Sequence, residues 1–96
     1  MMLKLILLIW LERRNKMEKL IEMLEELNPE VDYTTEEHLI DNHLLDSLAI
    51  LSLIGDIEDE FDVEVPTTQI IPSNFNSAQA IWNLIQKLEE NYYAIL

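Results

Sequence analysis

Three groups of side chains have types and spacings that could do chemistry. Ser47 follows Asp46 and comes four residues after His43, which raises the reading of a nucleophile beside a base. That reading lacks its supporting parts. There is no Gly-x-Ser-x-Gly elbow, no evident third member of a triad, and no glycine-rich oxyanion loop, because Gly55 is the only glycine. His38, Asp41 and His43 could ligate a metal, but the chain has no Cys and no His-x-x-x-His spacing, so solvated loop histidines explain them better. Asp56, Glu58, Glu60 and Asp62 alternate as in a calcium loop, yet Phe61 stands where such a loop needs glycine and Thr67 where it needs a bidentate Glu. A solvated acidic face accounts for these four. What remains is Ser47 as a hydroxyl at the start of a helix.

The helix that positions it is predicted from Ser47 to Phe61, with Asp46 as its N-cap. At a helical period Ile50, Leu53, Ile54, Ile57 and Phe61 fall within an arc of about 100°, the buried stripe. Leu48, Leu51 and Gly55 fall well away from the centre of that stripe, on the side where a surface helix is normally polar. If Asp46 caps, Ser47 is left free in the first turn, where unpaired backbone N–H groups and the helix dipole favour a phosphate.

Two further helices flank this one. Met17, Leu20, Ile21, Leu24 and Leu27 recur at steps of three and four with Glu18, Glu22, Glu25 and Glu26 between them, and Asn28-Pro29 ends the pattern. A last helix is predicted from Asn76 or Ser77, either of which can cap it, to about Glu90, with Ile81, Leu84, Ile85 and Leu88 inward and Trp82 at the rim of the core. Thr67 to Ile71 can form a single short turn. Between the first two helices lies a preamble, Pro29 to Asp46, without sustained period but with apolar anchors Val31, Tyr33, Leu39, Ile40, Leu44 and Leu45. A loop that long in a small domain is usually functional or pinned by its own side chains. Ninety-six residues leave room for one core only, and no strand alternation is sustained.

Charge divides the chain. Lys4, Arg13, Arg14 and Lys16 are four of its six basic residues, and Glu12 is the only acid before Met17. From Met17 onward eighteen acids face only Lys19 and Lys87. So acidic a surface is repelled by phosphate backbones and anionic lipid, which excludes basic-patch binding of nucleic acid and predicts no direct membrane insertion. The run Met1 to Leu11 is apolar but short of the ~20 residues a spanning helix needs, and it has no small-residue cleavage site. Glu12-Arg13-Arg14 can be encoded GAA-AGG-AGG, a bacterial ribosome-binding sequence, so translation is expected to start at Met17. Residues 1–16 then form an extension outside a domain of residues 17–96. Otherwise they form a helix whose Leu3, Leu7 and Leu11 pack on the domain or on a partner.

Leu45-Asp46-Ser47-Leu48, followed by Leu51, Leu53, Ile57, Glu58, Asp59, Glu60 and Phe61 and then Val65-Pro66, resembles the acyl carrier protein family and its aminoacyl relatives. Asn74 to Ile81 likewise resembles the start of the final helix in stand-alone bacterial carriers, including those similar to the D-alanyl carrier proteins. The resemblance covers about Met17 to Glu90. It implies an all-α four-helix bundle of acyl-carrier type, with three main helices, one short helix and a long loop between the first two. It implies a covalent 4′-phosphopantetheine, taken from coenzyme A, on Ser47, with Asp46 and Leu48 beside it and Leu48, Leu51, Gly55 and Glu58 as a docking surface. The partners implied are a phosphopantetheinyl transferase, an acyl- or aminoacyl-activating ligase and a downstream acyltransferase or synthase. The carrier would be a cytoplasmic monomer without catalysis or a metal of its own.

Ala49 and Ser52 stand where fatty-acid-synthesis carriers usually have acids, which points away from that pathway. Where the family often has Gly before Asp-Ser-Leu, this chain has Asn42-His43, and Asn42 is expected to take the left-handed conformation. The competing reading is an unmodified acidic helical interaction domain in which Ser47 is only structural.

Overall fold

A computed structural model describes the backbone of residues 2–95 and the side chains of residues 3–8 and 16–90. It is all-helical across the described residues. α1 spans Met2–Leu27, α2 Ser47–Phe61, α3 Pro72–Phe75 and α4 Ala78–Ile95, with a single 3₁₀ turn at Thr67–Gln69.

α1, α2 and α4 pack around one apolar core because each presents an apolar stripe inward. Leu20 and Leu24 of α1, Leu53 and Ile57 of α2, Phe75 of α3, and Ile81 and Ile85 of α4 are almost wholly excluded from solvent. Trp82 is drawn further in than a rim position, and its ring meets Phe61 edge to face with centroids 6.2 Å apart. The αL residue Asp62 stops α2, and a Glu58 carboxylate oxygen then accepts the N–H of Val65 at 3.0 Å, turning the chain toward the Val65-Pro66 step. Pro72 opens α3 at a position where its missing N–H is not needed. The short turn expected at Thr67 to Ile71 is the 3₁₀ turn, and α3 follows it as a second short element, four residues being too few to show a hydrophobic period.

α1 begins at Met2 instead of near Met17. Leu, Ile, Lys, Arg and Glu are good helix formers, and no Gly or Pro intervenes before Asn28-Pro29. Of its early turns, Leu3, Leu5, Ile6, Leu7 and Leu8 do not pack on the domain and are 56–76% exposed. Leu11 lies outside the described side chains. The first described tie to the bundle is the ion pair of Lys16 with Glu89 on α4, at 3.3 Å.

The segment from Pro29 to Asp46 is pinned by its own side chains. Tyr33 is buried and its hydroxyl donates to the carbonyls of Leu24 and Asn28, both at 2.8 Å. Burial, with the nearby Glu25 carboxylate adding to it, holds the Tyr33 phenol above its usual pKa and so in the form that donates. Asn28 Nδ2 donates to the Leu44 carbonyl at 2.9 Å, and Leu39 is fully buried beneath the loop. Thr34 donates to Asp32 from its backbone and its hydroxyl, which lowers the Asp32 pKa.

Candidate functional site

Asp46 caps α2 as its position predicts. Its backbone is extended, and its carboxylate accepts the N–H of Ala49 at 2.8 Å. Ser47 is the first helical residue, exposed, and its hydroxyl has no hydrogen-bond partner among the described residues. The N–H groups of Ser47 and Leu48 lie in the first turn, where no intrahelical acceptor reaches them. The result is a solvent-facing hydroxyl at the positive end of a helix dipole.

His43 governs how the chain enters this turn. It holds φ 55°, the left-handed region, and donates its N–H to the Ile40 carbonyl at 3.0 Å. Leu44 and Leu45 both donate to the Leu39 carbonyl, at 2.9 and 3.2 Å. The expectation for Asn42 is thus corrected by one residue. The tight closure on Leu39 and Ile40 demands a left-handed residue at 43, and this outweighs the better left-handed propensity of Asn42.

The two sides of α2 differ as the period predicts. Leu53, Ile54, Ile57 and Phe61 are buried. Ile50, placed in the same stripe, is only half-buried, because it lines a cleft that opens beside Ser47. Leu48 and Leu51 are 77% and 64% exposed. Gly55 is exposed, and a Cβ built on it would meet nothing within 4 Å, so no internal contact requires glycine there. Glu58 is half-buried and engaged with the Val65 N–H, one turn beyond that patch.

The cleft holds about 590 Å³ and is mainly apolar. One wall is the loop, with Ile40, His43 and Leu45; the other is the 3₁₀-to-α3 segment, with Ile70, Ile71 and Phe75. Ser47, Ile50 and Leu51 of α2 lie between them. The part played by Ile70 and Ile71 was missed in the sequence, where they read as the end of a short turn; their signal was two large apolar residues in a row with no helical period to bury them. His38 and Asp41 face each other on the surface at 3.7 Å, and neither lines the cleft beside Ser47. The alternating acids Asp56, Glu58 and Glu60 lie on α2 rather than in a loop, and among the described residues no group of three or more acids and histidines is placed to hold a metal ion.

The family described as "Phosphopantetheine attachment site" matches residues 18–85. The chain belongs to that family. It is similar to the D-alanyl carrier protein of Streptococcus sanguinis, 36% identical over 64 residues covering 66% of this chain and 81% of the relative. It is also similar to the D-alanyl carrier protein of Streptococcus gordonii, 34% identical over 64 residues with the same coverage. No solved structure matches significantly. The chain is therefore a carrier that bears 4′-phosphopantetheine and shuttles thioester-bound acyl or aminoacyl groups. The competing reading, an unmodified interaction domain, gives way to this family membership. Carriers of this family are not themselves catalytic. No described helix is long and apolar enough to cross a membrane.

Proposed function

We propose that Ser47 is the attachment hydroxyl and that the carrier presents an aminoacyl group on it. The observation that carries this reading is the division of labour at the start of α2: Asp46 satisfies the cap, which leaves the Ser47 hydroxyl exposed and unpartnered beside an apolar cleft. The residues fit the group. The free N–H groups of the first turn favour the phosphodiester that attachment leaves at this position, and the cleft offers apolar walls to an arm leaving it. When bound, the arm supplies a terminal thiol that holds cargo as a thioester. Everything else falls to the chain, which positions the serine and offers a surface to successive enzymes.

During loading the Ser47 oxygen forms a bond to the phosphorus of coenzyme A that joins pantetheine phosphate to the nucleotide. Its proton passes to a base of the transferase, and adenosine 3′,5′-bisphosphate leaves. Leu48, Leu51 and Gly55 form the docking strip on the exposed face of α2, with Glu58 at its edge, and the acids speed encounter with basic partners. The partners are a phosphopantetheinyl transferase, an aminoacyl-activating ligase and a downstream acyltransferase. An aminoacyl cargo is supported by the two relatives named D-alanyl carrier protein and by Ala49 and Ser52 replacing docking acids. The carrier acts as a cytoplasmic monomer with no catalysis of its own.

The carrier unit is residues 17–96, and residues 1–16 lie outside it. The exposure of Leu3 to Leu8 and a family match that begins at residue 18 support this. A peptide containing Leu7 or Trp10 recovered from the endogenous protein would contradict a start at Met17. Attachment is tested by incubating the full chain with coenzyme A, magnesium and a broad-specificity transferase. The wild type and Ser52→Ala gain one phosphopantetheine, and Ser47→Ala gains none while keeping its helical circular dichroism. Gain by Ser47→Ala overturns the assignment.

A further inference from the structure

Asn76 stands just before α4 but does not cap it. Ser77 does, its hydroxyl accepting the Ala80 N–H at 3.0 Å. The Asn76 side chain instead reaches across the molecule to the loop before α2. Its Oδ1 accepts the N–H of Ile40 at 3.0 Å and of Asp41 at 3.2 Å, and its Nδ2 donates to Asp41 Oδ2 at 3.2 Å. Its carbonyl accepts the N–H of Leu39 at 2.9 Å. Among the described residues, every hydrogen bond between the loop (29–46) and the segment 62–77 involves Asn76.

The two segments that Asn76 joins are the two walls of the cleft beside Ser47. Ile40 is in one wall, and Phe75, the neighbour of Asn76, is in the other. The cleft between these walls has a mainly apolar lining, which favours closure but specifies little about register. Hydrogen bonds with fixed donor and acceptor directions do specify it. Ile40 and Asp41 also lie immediately before the left-handed turn at His43 that delivers Asp46 and Ser47 to the start of α2.

We propose that Asn76 is a latch: by tying the loop to the end of α3 it fixes the spacing of the cleft walls and the approach of the chain to Ser47, and so acts as a positioning residue for loading by the transferase. The proposal rests on Ser47 being the attachment hydroxyl, and its test separates the two. Two measurements are made on the full chain: amide hydrogen exchange, and the steady-state kinetics of coenzyme A-dependent loading with the carrier as varied substrate. In Asn76→Ala, exchange at the Ile40 and Asp41 amides is expected to accelerate about tenfold or more, because both lose their acceptor. The KM for the carrier rises several-fold while kcat changes little. Ser77→Ala weakens the same helix start without touching the latch, and should leave both readouts near wild type.

Asn76→Asp alone keeps an acceptor for the two amides but replaces the bond to Asp41 with two carboxylates face to face, so exchange and KM should rise less than in Asn76→Ala. Combining it with Asp41→Asn restores two acceptors and one donor in exchanged positions and should recover the wild-type exchange and KM. The latch is overturned if exchange at Ile40 and Asp41 is unchanged, if Ser77→Ala raises it equally, if the combined variant does not recover, or if KM stays flat across variants that load. Failure of the wild type to load overturns the Ser47 assignment itself, whatever the exchange shows.

Discussion

α2 and α4 begin alike and are used differently. Each starts with two adjacent polar residues, Asp46-Ser47 and Asn76-Ser77, of which one caps and the other is spare. At α2 the first residue caps, and the spare serine faces solvent with no partner among the described residues. At α4 the second residue caps, and the spare asparagine is half-buried and hydrogen-bonded to the loop before α2. A spare polar side chain at a helix start is thus not a site in itself. It is open to chemistry where the fold leaves it exposed and unpartnered, and it is structural where the fold has engaged it.

The largest expected effect tests the frame that holds both starts. Leu53→Ala or Ile57→Ala should cost about 2 to 5 kcal/mol in urea unfolding by opening a cavity in a fully packed core, whereas Leu48→Ala should stay within about 0.5 kcal/mol. If Leu48→Ala proves as costly as Leu53→Ala, the docking strip has been placed on the wrong side of α2. Next comes Asn76→Ala, which leaves the N–H groups of Ile40 and Asp41 without their acceptor and should cost about 1 to 3 kcal/mol. Removing either cap, by Asp46→Ala or Ser77→Ala, should cost about 1 kcal/mol, read as a lowered melting midpoint. Equal costs for Asn76→Ala and Ser47→Ala would erase the contrast between the two starts.

Smaller effects in the opposite direction sharpen it. His43→Gly relieves a left-handed backbone and should stabilise the chain by up to about 1 kcal/mol, part of the relief being offset by the greater freedom of an unfolded glycine. Gly55→Ala should stabilise by up to about 1 kcal/mol, since alanine is the better helix former and the position is open. If Gly55→Ala also slows loading or unloading by partner enzymes, the glycine is kept for their close approach.

The core of the site was legible in the sequence because its determinants are local. The cap Asp46, the period from Ile50 to Phe61 and the exposed side with Leu48 and Leu51 are all encoded within about one helix length, and the bounds of α2 follow from them. The start of α4, to within a residue or two, and the inward set Ile81, Leu84 and Ile85 were readable for the same reason. What was not legible depends on contacts distant in sequence. The left-handed residue is His43 rather than Asn42 because the loop closes onto Leu39 and Ile40, a geometric demand that residue preference does not express. Asn76 reads as one of two equivalent caps until its partners 35 and 36 residues away are seen. The cleft, too, arises only when Ile70, Ile71 and Phe75 are brought opposite Ile40 and Leu45. α1 continues back to Met2 because nothing in residues 2–16 breaks a helix, so a boundary drawn from charge is invisible to the backbone.

The most direct test of the central claim locates the modification. The full chain, loaded with coenzyme A, magnesium and a broad-specificity transferase, is fragmented by tandem mass spectrometry and its serines are compared. One phosphopantetheine on Ser47, with Ser52, Ser73 and Ser77 unmodified, is the predicted result. Modification at any of those three serines, or no mass gain under conditions that load a known carrier, would contradict it.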